Sequence, residues 1–197
     1  QLTTGQLLAA AFFTALLFGG LSGLGAWWGY PPAWGTDGGP ILSGRSLIWG
    51  TVGGAVAGAA MVSSWRNVPL TPIAEDFPVV RALLGAPIPL PVVLIVSASA
   101  GIFEELFFRG VLQPILGLWP TAVLFVLLHG YVQWKSWRHL LFTALVILLS
   151  AGLGYLAREV ALSAAMLAHA VYDVAMLELL KRSPRPEDRR GLEIPRP

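Results

Sequence analysis

The 197-residue chain contains no cysteine, which removes disulfides, thiolate zinc sites and cysteine nucleophiles together. It is also poor in charge: 12% of its residues are Asp, Glu, Lys or Arg, 55% are hydrophobic, and the mean hydropathy is +0.68. That balance excludes a water-soluble globule. H-E-x-x-H is absent, so the usual metalloprotease helix is not available. There is no repeat of solenoid period and no low-complexity segment. A nucleic-acid partner is not expected from the net charge of +2, because of where the basic residues fall. Lys181, Arg182, Arg185, Arg189, Arg190 and Arg196 are interleaved with Glu187, Asp188 and Glu193, and most others flank apolar runs.

What the sequence does have is long apolar runs, 22 glycines and eight tryptophans. Residues 7–28 are apolar and uncharged, end in Trp27-Trp28, and have no basic leader, so they read as a span rather than a cleaved signal peptide. Residues 47–62 form a weaker run in which Gly50, Gly54 and Gly58 repeat every four positions, a small-residue face that lets another backbone pack close, and this second span is expected to be interior to the bundle. Residues 66–91 carry six prolines and read as a loop, with a short interfacial helix at 79–84. A third span starts at Val92, and Pro114 is expected to kink or end its helix near Val111. A fourth is predicted to run as helix from Pro120 to about Trp134, a fifth covers 140–157 and a sixth 160–180. Trp27, Trp28, Trp65, Trp119, Trp134 and Trp137 fall at span ends, as belt residues do.

The fold class predicted is therefore all-α, a polytopic membrane helix bundle of about six transmembrane helices. Residues 1–182 form one transmembrane domain, with a polar cytoplasmic tail at 183–197. Six spans collect ten basic residues on the side holding both termini, against Arg45 and Arg158 on the other. By the positive-inside rule both termini are cytoplasmic, and the protein is an integral, multi-pass membrane protein.

A charge at the centre of a membrane helix costs roughly 2.5 to 3.5 kcal/mol, and one span carries three such groups within six residues. Glu105 and Arg109 are four apart and share a helix face, so they can pair; Glu104 is turned about 100° away, towards Ser97, Gly101 and Phe108. His129 follows Phe125 by four positions, and His169 precedes Asp173 by four. Taken singly these patterns are weak. Together they place polar groups from three spans at membrane depth, where they can satisfy one another only around a shared cavity. A carboxylate there can move a proton between water and a leaving amine, and imidazole can orient the water. Two histidines and a carboxylate can also hold zinc with one position open.

Glu104-Glu105-Leu106-Phe107-Phe108-Arg109 resembles the E-E-x-x-x-R motif of the CAAX-protease and bacteriocin-processing (CPBP, or Abi) family of intramembrane proteases, which includes the type II CAAX prenyl endopeptidases. Phe125 to His129 resembles its F-x-x-x-H motif, and His169 to Asp173 its H-x-x-x-N/D motif, in the family's order and within residues 90–180. Asp at 173 lies within the pattern but is less like the eukaryotic prenyl proteases. The resemblance implies an all-helical membrane endopeptidase. In it Glu104 and His129 activate water, His169 and Asp173 complete the catalytic set, and Glu105, Arg109 and Phe125 support it. The implied partners are a lipid bilayer and a membrane-associated protein or peptide substrate, with or without a lipid group. No required cofactor is the favoured expectation; zinc, held by Glu104, His129 and His169, is the alternative left open.

Three rival readings account for less of the sequence. Gly20-Leu21-Ser22-Gly23 spells the G-x-S-G of rhomboid serine proteases, but leaves Glu104, Glu105 and Arg109 unexplained. Tyr172-Asp173 is similar to the Y-D of intramembrane aspartyl proteases, but Asp37, Asp76 and Asp188 all lie in loops or the tail. A non-catalytic or proton-coupled protein using the Glu/His cluster as a relay or partner site needs polar residues along the cytoplasmic halves of spans four to six, and few are there.

Overall fold

The computed structural model describes residues 2–32, 43–67, 73 and 76–184. The expectations for Asp37, and for the tail beyond 184, lie outside the described residues. Among those described the chain is all-helical. Helix α1 (Thr4–Trp27) starts at a capping box in which the Thr3 hydroxyl accepts from the Gln6 amide and the Gln6 side chain returns the bond. It is followed by α2 (Gly44–Asn67), the short α3 (Pro78–Leu83) and α4 (Leu90–Phe107). Then come a π-helical segment (Phe108–Leu112), α5 (Gln113–Leu116), α6 (Leu118–Leu128), α7 (Trp137–Glu159) and α8 (Leu162–Arg182).

Five units are long and apolar enough to cross a bilayer: α1, α2, Leu90–Leu116, α7 and α8. Helix α6 has 11 residues, about 16 Å, roughly half the hydrocarbon thickness. The fourth span is therefore not helical to Trp134. Gly130, at φ +71°, allows the chain to close a Schellman cap, with its own amide on Leu127 O and the Tyr131 amide on Val126 O. Residues 131–134 go on without helix, half-buried from Tyr131 to Gln133 and exposed at Trp134. The Thr143 hydroxyl donates to Tyr131 O, and Gln133 donates to Asp76 O at the far end.

The direction of each crossing follows from its contacts. Helix α1 runs parallel to α4, with Ser99 donating to Ala11 O near one end and Gly25 against Val111 near the other. Helix α2 runs parallel to α8, Gly50, Gly54 and Gly58 meeting Ala164, Ala168 and Ala175 in turn. A Cβ on Gly54 would lie 2.5 Å from Ala168 O, so only glycine permits that approach. Helix α7 passes from Asp76, bonded to His139, towards Arg45, which reaches Glu159 O. Five helical units thus have the length of a span and α6 about half of one, and the start of α1 and the end of α8 share a face. Helix α2 is not interior, contrary to the sequence reading. It is buried along the glycine stripe, while Leu47, Ile48, Val52 and Val56 face outwards.

The break before Pro114 is not a simple kink. Proline lacks the N–H that would bond Gly110 O, and the preceding turn widens so that Gln113 N–H bonds Phe108 O. Phe108, Arg109, Gly110 and Val111 are all buried as a result, which a regular surface helix would not achieve. Trp27 is 85% exposed at a helix end, as a belt residue should be, but Trp65 is only 5% exposed and belongs to the core.

Candidate active site

Helices α4 and α8 meet closely because Gly101 has no side chain; a Cβ there would lie 2.6 Å from Met166 O. One turn further along α4, Glu104 and Glu105 reach the level of His169. The spacing argument for the two glutamates holds. Glu105 Oε1 accepts from Arg109 Nη1 at 2.9 Å, and both side chains are buried. Arg109 Nη2 donates to Ser150 O at 2.9 Å and to its hydroxyl at 2.7 Å, which ties α7 to the π-helical turn. Glu104, on the other face, has Oε2 3.3 Å from His129 Nε2.

The two imidazoles are oriented in the same way. His129 Nδ1 lies 2.7 Å from Phe125 O, and since a carbonyl only accepts, Nδ1 carries the proton and Nε2 is turned to Glu104. His169 Nδ1 lies 2.8 Å from Glu105 Oε1, which turns its Nε2 towards Asp173 Oδ2, 3.6 Å away. Phe125 explains why its motif spacing matters. Its ring stacks on His129 with centroids 4.1 Å apart, meets His169 edge-on at 5.9 Å, and carries the Arg109 guanidinium 4.7 Å from its centroid.

Glu104, Phe125, His129, His169 and Asp173 line one cavity of about 220 Å³. The cavity continues along apolar residues to Val79, Val80 and Leu83 around α3. Glu105 and Arg109 stand behind its wall. Tyr131, Tyr172, Ser150 and Trp65 also line it, and the sequence reading did not assign them to the site. Ser150 was visible as a hydroxyl inside an otherwise apolar span; Tyr131 gave no periodic signal, because it lies past the end of α6. The third histidine, His139, serves elsewhere. Its Nδ1 meets the Ser136 hydroxyl at 2.9 Å and its Nε2 meets Asp76 Oδ2 at 3.0 Å, with Lys135 Nζ 3.3 Å from Asp76 Oδ1. This clip holds the chain before α3 against the segment that carries Tyr131.

The fold and the cavity define a polytopic helical membrane protein with an acid–imidazole site enclosed in the bundle. Residues 86–175, just under half of the chain, match the family model described as Type II CAAX prenyl endopeptidase Rce1-like. Over those residues the chain is similar to the CAAX-protease (CPBP) type, and at family level the match supports CAAX-type membrane protease activity, that of a hydrolase working in a lipid bilayer. No curated protein and no solved structure matches the chain.

Proposed function

We propose that the protein is an intramembrane endopeptidase in which Glu104, beside His129, activates water for attack on a peptide bond of a membrane-associated protein or peptide. The observation that carries this reading is the pairing of Glu104 with His129 on the same cavity as His169 and Asp173. One proton lies between Glu104 and His129 Nε2, leaving the other carboxylate oxygen as base. Water gives a proton to Glu104 as its oxygen bonds the carbonyl carbon, and the carbonyl π pair moves onto oxygen. When that pair returns, the C–N bond breaks and the amine takes the proton from Glu104, restoring the starting state. Glu105 and Arg109 hold His169 and the π-helical turn in place.

Zinc on Glu104, His129 and His169 is the rival chemistry. Glu104 is already paired with His129, and among the described residues no three His, Asp or Glu side chains are grouped to hold one ion. This supports water activation by side chains as the mechanism proposed. The apolar continuation of the cavity towards α3 suits a lipidated substrate as well as an unlipidated apolar one. The face shared by the start of α1 and the end of α8 is proposed to be cytoplasmic, since basic residues gather there.

The test uses the full chain in phosphatidylcholine vesicles, with peptides ending in a farnesylated cysteine motif and their unlipidated counterparts. Cleavage of at least one peptide by the wild type, lost in Glu104→Gln, is expected. Absence of cleavage, or cleavage surviving in Glu104→Gln, overturns the proposal.

A further inference from the structure

The tetrahedral intermediate of such a reaction carries an oxyanion, and in a water-poor cavity it needs a hydrogen-bond donor already in place. The polar groups on the cavity wall are mostly committed. His129 Nδ1–H is held by Phe125 O and its Nε2 faces Glu104; His169 Nδ1–H is held by Glu105 and its Nε2 faces Asp173. The Arg109 Nη groups are bonded to Glu105 and Ser150, and the Ser150 oxygen is drawn back against Arg109. Glu104, once it has taken the proton from water, keeps it for the leaving amine, and an ionised Asp173 can only accept. The donors on the wall without a hydrogen bond among the described residues include two phenols, Tyr131 and Tyr172, beside the Trp65 indole N–H.

Tyr131 is the better placed. Its amide is fixed on Val126 O at 3.2 Å and its carbonyl on the Thr143 hydroxyl at 2.7 Å. Its ring lies between Phe77 and Phe142, at 6.0 and 5.7 Å, and runs parallel to His129 with centroids 5.8 Å apart and planes 19° apart. Backbone and ring are therefore locked without any bond to the hydroxyl, which is the preorganisation a charge-stabilising donor requires. Its ring partner His129 is the imidazole paired with Glu104, 3.3 Å from Nε2 to Oε2, which ties Tyr131 to the group that takes the proton from water.

We propose that Tyr131 is a catalytic residue of this site, its phenol O–H donating the hydrogen bond that holds the oxyanion formed as water adds to the peptide carbonyl. This rests on the hydrolytic reading above. The phenol keeps its proton throughout, so the atom and electron balance of that reaction is unchanged. The experiment compares wild type, Tyr131→Phe, Tyr172→Phe and Glu104→Gln in phosphatidylcholine vesicles on whichever peptide the wild type cleaves.

Tyr131→Phe is expected to lower kcat about 10²- to 10³-fold with little change in KM or melting temperature, and Tyr172→Phe to lose less. A phosphinate analogue of the cleaved bond should bind Tyr131→Phe more weakly by the same factor, while the product peptide binds equally. The analogue comparison reads only folded protein, so it decides the matter even if the variant is less stable. A kcat within threefold of wild type in Tyr131→Phe, an unchanged phosphinate affinity, or a larger loss in Tyr172→Phe overturns the role of Tyr131 while a dead Glu104→Gln leaves the hydrolytic reading standing. An inactive wild type, or an active Glu104→Gln, removes that reading and the Tyr131 role with it.

Discussion

His169 Nδ1 lies 2.8 Å from Glu105 Oε1, the same oxygen that accepts from Arg109. The second glutamate of the motif therefore orients an imidazole on α8 as well as neutralising the guanidinium. Both contacts fall on Oε1, and the buried Oε2 has no hydrogen-bond partner among the described residues.

Glutamine at the two adjacent positions should separate chemistry from support. Glu104→Gln is expected to abolish cleavage with a near-normal folded yield. Glu105→Gln and Arg109→Ala each strand a buried partner charge and should also lower stability, by about 3 to 5 kcal/mol for a fully buried pair. Melting in detergent and cleavage in vesicles measure the two effects. Equal melting temperatures in all three variants would contradict this division of labour.

Metal removal separates the two ways of activating water. With Glu104 as base, exhaustively chelated protein keeps its activity, and His129→Ala lowers turnover by roughly 10²- to 10⁴-fold. A zinc enzyme would lose metal and activity together, in His129→Ala, in His169→Ala and on chelation, and would regain both on zinc addition. Elemental analysis alongside the cleavage assay distinguishes these outcomes.

The clip at Asp76 should be acid-sensitive. Burial raises its pKa, but hydrogen bonds from His139 and Lys135 outweigh that and hold the carboxyl below the usual range. A depressed folded-state pKa means the stabilisation is complete above the ordinary carboxylate range and is lost as pH falls through the lowered value. Amide exchange across Pro78–Leu83 is expected to quicken in Asp76→Asn at neutral pH and in the wild type only in strong acid. Identical protection in the two proteins at neutral pH would show that the clip does not restrain α3.

Reporter fusions test the membrane orientation. A cytoplasmic reporter should be active both before α1 and after Pro197, and an external one within residues 31–44. A C-terminal fusion active only outside the cell defeats the orientation proposed here.

The pairs that were legible in the sequence are those set by helical period. Glu105 with Arg109, Phe125 with His129 and His169 with Asp173 are each four apart, and a helix of 3.6 residues per turn brings them onto one face whatever else the chain does. The apolar runs were equally legible, because a bilayer imposes their length. Gly50, Gly54 and Gly58 announced a close helix contact but neither its partner, which is α8, nor that α2 packs on the outside of the bundle.

The rest depended on contacts between residues far apart in sequence. Glu105 meets His169 across 64 positions and Arg109 meets Ser150 across 41, and no local period encodes which helix lies beside which. The fourth apolar run ends its helix at Leu128 because Gly130 closes a cap and neighbouring side chains satisfy the backbone beyond it. Only that packing carries Tyr131 to the cavity wall. The sequence determined the spans and the one-turn pairs through helical geometry and membrane thickness. Tertiary packing decided which of those pairs face each other, because a buried polar group takes whatever partner the neighbouring helices bring within reach.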